Sequence, residues 1–479
     1  MRTRTLEIAG GVRIVVPDSL NLLTPYVLFE QQDWFEDEIG FVRRLLQPGQ
    51  QTIDVGANYG VYALTMASIV GPTGAVWAFE PASSTAALLA QSVTANSFSQ
   101  IVVECSAISS ACGSARLALN DNAEFNSLIS DEMSSVTAET VTVVTLDDCL
   151  KRYGWKGIDF VKIDAEGQET NIIAGGQQFF SECSPLVLYE VKAGTDLHLE
   201  LVQQFASIGF ESYRLVPGLD LLVPFDPGSK PDDSLLNLFC CKNDRAEVLA
   251  EMGLLLDTAA IEACTAARRF ESFYQSHKYK YTWDRRLSAM PYGALLSSIW
   301  KTPNGATTAI GDVLACYAIS QDASLDSFER LSGLDASFRL LMSLGAEVTQ
   351  GLRLSTLVRA ARDFGARTVA MNAAKLLFDS VSSKIPIDAS EPFLAPAKRF
   401  DTISPGEHID RWIIAASAEE FERLQSFSSF YTGDSSRQRL ELISSLGFGS
   451  EEMRRRLQLI NARFGTSPNP SPHASPAST

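Results

Sequence analysis

An apolar segment, Thr52 to Val55, runs into a turn bounded by Gly56 and Gly60 and from there straight into a helical stretch. This junction constrains the fold more than any other part of the chain. Small residues in such a turn let backbone approach a ligand closely, and the helix opening behind it presents free N–H groups. A second buried strand, Ala75 to Phe79, ends on Glu80-Pro81. A carboxylate about 20–25 residues past the turn, at the end of the next strand, is where a βαβ nucleotide site holds both ribose hydroxyls.

The spacing Asp54-Val-Gly56-Ala57-Asn58-Tyr-Gly60 departs from Gly-x-Gly-x-x-Gly, the form that suits a dinucleotide, and has the form used for S-adenosylmethionine. Phe79-Glu80-Pro81, Asn126-Ser127-Leu128, Thr145-Leu146-Asp147-Asp148, Val161-Lys162-Ile163-Asp164-Ala165-Glu166-Gly167-Gln168-Glu169 and Leu188-Tyr189-Glu190 follow in that order. Together these segments resemble the FkbM family of S-adenosylmethionine-dependent methyltransferases over roughly residues 30–240, about half of the chain. The Lys-Ile-Asp-x-Glu-Gly segment is the most distinctive of them.

Strand and helix patterns alternate across this half: strands at 52–55, 75–79, 101–105, 158–163 and 185–190, with helices at 60–69, 83–95, 146–153 and 168–180 between them. Such alternation predicts a parallel sheet with helices on both faces. A helix over 198–208 and strands over 210–215 and 235–241 complete it. The resemblance implies a Rossmann-like class I methyltransferase sheet, with the last two strands as an antiparallel edge hairpin. Ahead of it, strand-like pieces at Val12 to Val16 and Tyr26 to Phe29 precede a helix over 33–46, for which Asp33 is a candidate cap. The fold class expected is α/β followed by a separate all-α domain. The domains are a methyltransferase domain with its N-terminal extension over 1–243, a helical domain of unknown role over 244–465, and a disordered Ser/Pro-rich tail over 466–479. The helical half has apolar stripes and Gly-terminated helices without a strict period, so a helical solenoid is one reading of it.

The net charge of −17 argues against a nucleic-acid-binding surface, which needs clustered Lys and Arg. The one tight basic run, Arg454-Arg455-Arg456, reads as a solvated helix surface. Eight cysteines without a Cys-x-x-Cys spacing suggest a reducing compartment, and no apolar run is long enough to span a membrane. A cytoplasmic location is expected.

In an open parallel sheet, ligands bind at the carboxyl ends of the strands. That rim carries Asp54, Glu80, Ser106, Ala107, Asp164, Glu166 and Glu190. Asp54 with Gly56, Ala57, Asn58 and Gly60 would meet the methionine part of the cofactor, Glu80 its ribose, and Ser106 and Ala107 its adenine. Asp164 lies by the expected methyl position, and Asp164, Glu166 and Glu190 are the candidate catalytic carboxylates; as a bland alternative, Asp164 and Glu166 cap the following helix. Family members often carry a His shortly after the Glu190 position, where Val191 and Lys192 stand here, so no His base is assigned. No metal site is expected. Trp34 and Glu38 fall on the helix that commonly covers such a site.

The resemblance implies O-methylation of a sugar or other small hydroxyl-bearing acceptor, a small molecule or glycan. Two rival readings are a methyltransferase whose protein or carrier-bound substrate is recruited by the helical half, and a binding scaffold with a vestigial cofactor fold.

Overall fold

The computed structural model describes residues 2–129, 137–193, 196–278, 280–282, 286–300, 309–383 and 386–465. The Ser/Pro-rich tail lies outside the described residues. The chain opens with an antiparallel pair, β1 (Thr3–Ile8) and β2 (Val12–Pro17), then α1 (Leu23–Gln31) and α2 (Asp37–Leu45). The α/β unit follows as β3 (Gln51–Val55), α3 (Val61–Val70), β4 (Ala75–Phe79), α4 (Ser83–Asn96) and β5 (Ile101–Glu104). Four short strands come next: β6 (Ser106–Ile108), β7 (Gly113–Ala118), β8 (Ser127–Ile129) and β9 (Ala138–Val144). Then come α5 (Leu146–Tyr153), β10 (Phe160–Ile163), α6 (Glu169–Ala174), α7 (Gln177–Cys183) and β11 (Leu186–Glu190). A two-residue pair, β12 (Lys192–Ala193) with β13 (Asp196–Leu197), leads to α8 (Glu200–Ser207), β14 (Glu211–Val216), β15 (Leu221–Pro224) and β16 (Asn237–Cys241).

The main sheet has the order β15-β14-β16-β11-β10-β3-β4-β5, parallel from β5 through β11 and antiparallel at β16. The order reverses between β3 and β10, and that switch point opens the ligand crevice. Burial alternates residue by residue as a sheet covered on both faces requires. Leu186, Leu188, Phe239 and Cys241 enter one core, while Val187, Tyr189, Leu238 and Cys240 enter the other. The adjacent thiols Cys240 and Cys241 thus serve as packing on opposite faces. The smaller sheet, in order β6-β9-β7-β8, stands over the crevice.

Several local expectations are corrected. Tyr26 to Phe29 belongs to α1, not to a strand: Pro25 sits in the first turn, where its missing N–H is harmless, and the helix is buried nearly all round. Asp33 caps nothing and instead pairs with Arg43 at 2.6 Å, so α2 begins only at Asp37. The stretch 168–180 is two helices, broken at Gly175, where a Cβ would lie 2.2 Å from the Ser109 carbonyl. The edge carries one strand more than the expected hairpin, since β15 pairs outside β14.

After β16 the chain is helical: α9 (Asn243–Glu251), α10 (Thr258–Ala266), α11 (Arg269–His277), α12 (Pro291–Leu296), α13 (Ala309–Ser320), α14 (Ser327–Ser343), α15 (Arg353–Phe364), α16 (Arg367–Val381), α17 (Ile409–Gln425), α18 (Ser429–Thr432), α19 (Arg437–Leu446) and α20 (Glu451–Phe464). From α13 to α17 each helix packs on the next, as in a solenoid. This region shares its core with the sheet edge: Val216, Leu219, Leu221 and Val223 of the β14–β15 hairpin pack with Tyr292, Leu314, Tyr317 and Trp412. The α/β core in turn runs past residue 243 to Leu254 and Leu255. Helices so placed cover an edge that would otherwise offer unpaired backbone.

The chain's end returns to its beginning. Glu30 on α1 and Arg456 on α20 form a fully buried pair at 3.3 Å, and Arg456 also meets Glu452 at 3.0 Å and Glu422 at 3.4 Å. Arg455 donates to the Glu30 carbonyl at 2.7 Å, and only Arg454 faces solvent, against Glu451. The basic run is therefore structural in two of its three members rather than a solvated surface.

Candidate active site

Gly56 carries the closest approach in the crevice. At φ +78° it holds a conformation that L side chains rarely adopt, and a Cβ there would lie 1.7 Å from the Asp164 carbonyl oxygen. The glycine lets the end of β3 press against the end of β10, so Asp54 and Asp164 share one cleft. Gly60, at φ +94°, would place a Cβ 2.3 Å from Leu89. Asp54, Gly56, Ala57, Asn58, Glu80, Ser106, Ala107, Asp164 and Glu166 all line this cleft. Gly60 stands behind it, as the residue from which α3 starts.

Four oxygens in the cleft wall are informative: Asp54 Oδ1 and Oδ2, Asn58 Oδ1 and Ser106 Oγ are buried and meet no protein hydrogen-bond partner. A buried carboxylate without donors is costly, so these groups call for ligand donors such as an ammonium and amines. Burial, reinforced by Asp164 and opposed by Lys162, raises the Asp54 carboxyl to about 6. Glu80 plays two roles. Its Oε2 accepts from Asn58 N and its Oε1 from Ala82 N, each at 2.9 Å, so it ties the glycine turn to β4 while facing the cleft. Burial pushes it to about 7, against the two backbone donors.

At the other end of the cleft, Asp164 and Glu166 line the wall, and Glu190 stands next to them without lining it. Asp164, Glu166 and Glu190 each place an oxygen within 4.8 Å of the others, close enough for a divalent cation to span. Burial, then Asp164 and Glu169, raises Glu166 to about 8. Glu190 is raised further by burial, by both neighbouring carboxylates and by its hydrogen bond to Asp164. Asp164 and Glu166 do not cap α6, whose N-cap is Gln168 without a side-chain bond. Glu166 adopts φ +48°, an unfavourable conformation for a non-glycine residue that the surrounding fold must hold.

Lys162 is the residue that sequence reasoning quoted without assigning a role. It lies opposite Asp54 in the β10–β3 register, and its Nζ is 2.8 Å from Asp164 Oδ2. Burial would lower this ammonium, but Asp164, Asp54 and Glu36 outweigh it and raise it. The signal was a lysine inside an apolar strand. Glu36 gave no such signal: it accepts from Tyr62 Oη at 2.6 Å, and Trp34 beside it lines the cleft. Glu38 lies behind that wall and faces a second cavity. Asn126, Ser127 and Leu128 line the cleft from the smaller sheet, with Leu23 N and Thr24 N bonding Asn122 and Glu124 across the opening. Asp147 does not cap its own helix, which Thr145 does; its carboxylate accepts from Gln178 N and Phe179 N in α7.

A cleft at the switch point of such a sheet is where a nucleotide-like ligand binds. Residues 54–212 match the family model for the methyltransferase FkbM domain; the match ends within β14, and the helical half is outside it. No curated protein matches the chain. Among solved structures, the chain is similar to methyltransferase FkbM from Methylobacillus flagellatus KT at 16% identity, covering 41% of this chain and 44% of that one, with a TM-score of 0.29. It thus spans less than half the length of that protein. A SAM-dependent O-methyltransferase from Thermotoga maritima is 14% identical over 50% of this chain and 77% of its own, at a TM-score of 0.25. Fibrillarin from Aeropyrum pernix, in complex with natively bound S-adenosyl-L-methionine, is 13% identical over 50% and 93%, also at 0.25. Among the described residues no helix is long and apolar enough to cross a membrane.

Proposed function

We propose that this protein transfers a methyl group from S-adenosylmethionine to a hydroxyl oxygen of a small acceptor, a sugar or similar polyol. The observation that carries the reading is the set of buried, unpartnered oxygens on Asp54, Asn58 and Ser106, facing the same cleft as Asp164 and Glu166, with Glu190 beside them. Asp54 would hold the cofactor's ammonium, Glu80 its ribose, and Ser106 and Ala107 its adenine. When bound, the cofactor supplies an electrophilic methyl on a positively charged sulfur.

The three carboxylates then divide the work. Glu166, raised to about 8, takes the hydroxyl proton as the O–CH₃ bond forms and the S–CH₃ bond breaks; a base with a pKa near the working pH suits that transfer. Glu190 donates a hydrogen bond to the acceptor or to Asp164. Asp164, ion-paired to Lys162, fixes the acceptor's position, which supplies much of the rate in an in-line displacement. A metal clamp on the acceptor oxygens is the second reading, and it rests on the spacing of the same three carboxylates.

The test uses methyl-labelled cofactor and fractionated cell extract, with the labelled product identified by mass spectrometry. Glu166→Gln should lower turnover about 10²–10⁴-fold at unchanged cofactor affinity, and should abolish a rate rise centred near pH 8. Full turnover in that variant sinks the base assignment. Loss of turnover with a chelator, restored by a divalent cation, would install the metal reading instead.

A further inference from the structure

The walls of the cleft are lopsided in charge. Among the described residues that line it, Asp54, Glu80, Glu124, Asp164 and Glu166 carry carboxylates, and Lys162 is the single cationic side chain. That ammonium is already engaged, 2.8 Å from Asp164 Oδ2 and 5.0 Å from the centre of the Tyr62 ring. Glu190, beside Asp164 and Glu166, adds to the same sign. A water-poor cleft walled by one sign of charge favours ligands of the other.

The cofactor as placed above uses Asp54 and Glu80, and the reacting hydroxyl uses Asp164, Glu166 and Glu190. Glu124 is left over. It lies in the short helical turn Ala123–Phe125, between β7 and β8, and lines the cleft from the smaller sheet. Its two oxygens are in different states. Oε1 accepts from Thr24 N at 3.0 Å and from the Thr24 hydroxyl, which fixes the side chain against the start of α1. Oε2 is buried and meets no protein hydrogen-bond partner. Such an oxygen is costly until a ligand supplies a donor. Glu124 is also close to the chemistry: its charge acts on Glu166, and on Tyr59 of the glycine turn together with Glu80.

We propose that the acceptor carries an ammonium group near its reacting hydroxyl, as an amino sugar does, and that Glu124 Oε2 receives it. The sugar-like body and the hydroxyl rest on the methyl-transfer reading; the ammonium rests on the charge of the cleft and on Glu124. A neutral polyol would leave the excess negative charge unanswered and offer Oε2 only an uncharged donor, which bonds less strongly. A phosphorylated or carboxylated acceptor would be repelled by the carboxylates around it.

The test has two parts. In the first, the full chain saturated with S-adenosylhomocysteine is titrated with D-glucosamine and, separately, with D-glucose, which has a hydroxyl in place of the ammonium. Binding is read by saturation-transfer NMR at about pH 6.5, where the amine is protonated. Glucosamine should bind at least about tenfold tighter than glucose, as one charged hydrogen bond provides. Glu124→Gln, whose amide oxygen still accepts from Thr24 N, should bring glucosamine to the level of glucose and keep S-adenosylhomocysteine affinity within about twofold of wild type. If that variant fails to fold, Glu124→Asp, which withdraws the carboxylate by one methylene, should weaken glucosamine at least about threefold and leave glucose unchanged. Equal binding of the two sugars by wild type, binding of neither, or an undiminished preference in the variant overturns the proposal. So does a loss of cofactor affinity of about tenfold in Glu124→Gln, which would move Glu124 to the cofactor. In the second part, the labelled product from cell extract is passed over cation-exchange resin at about pH 6. Retention that is lost after N-acetylation supports an ammonium-bearing acceptor; a product that flows through overturns it and leaves methyl transfer standing. Glucosamine held through Glu124, with no labelled product from any fraction, would count against the methyl-transfer reading and leave the Glu124 site standing.

Discussion

Replacing Asp54 by asparagine should make the protein more stable and its cofactor site weaker, a combination few substitutions produce. Asp54 is 1% exposed, and both of its oxygens lack protein donors. Its carboxyl titrates near 3.8 in an unfolded chain and near 6 in the fold. Because the folded value is the higher, folding favours the protonated form. No penalty exists below pH 3.8; it grows as pH rises through the interval and is complete above about 6. At ~1.4 kcal/mol per pH unit, the charged group costs about 3 kcal/mol at pH 7. The neutral amide of Asp54→Asn removes that cost, while Lys162 keeps its partner Asp164 at 2.8 Å. The measurement is urea unfolding of cofactor-free wild type and Asp54→Asn at pH 7 and pH 4, with calorimetric titration of S-adenosylmethionine at pH 7. The variant should gain up to about 3 kcal/mol at pH 7, shrinking towards zero at pH 4, because the buried amide is itself short of partners. Cofactor affinity should fall about 10–150-fold, the loss of one charged hydrogen-bonding group worth roughly 1.5–3 kcal/mol. A variant that is less stable at pH 7, or that binds the cofactor as tightly as wild type does, refutes the argument.

Two further substitutions test the frame around the site. Arg456→Met strands Glu30, which is fully buried, and should cost about 3–5 kcal/mol in denaturant unfolding. Adding Glu30→Gln should restore much of that, and a double variant no better than the single one would mean that the pair does not couple α1 to α20. Gly56→Ala should abolish cofactor binding through its contact with the Asp164 carbonyl, whereas Gly113→Ala, with nothing near its added Cβ, should bind as wild type does. Equal binding by both would show that the glycine turn does not press on β10.

What the sequence determined by itself is the part of the protein that local chemistry enforces. The turn from Asp54 to Gly60 is legible because only glycine tolerates its conformation and its close contact, and the alternation from β3 to β11 is legible because each strand is buried on both faces. Asp54, Gly56, Glu80, Asp164 and Glu166 were found from those strand ends, and they do line one cleft. Tertiary structure decided whatever depends on residues far apart in the chain. Segment 23–31 is rich in apolar and aromatic residues and carries a proline, which locally suggests a strand; it is a helix because α18 and α20, some four hundred residues later, bury it. Arg456 reads as a surface charge until Glu30, Glu422 and Glu452 close around it. Glu36 carries no motif at all. Its surroundings, Tyr62, Lys162 and Asp164, come together only when α2 and α3 pack over the sheet, and the desolvation and pairing of a charge are properties of that packing rather than of its neighbours in sequence.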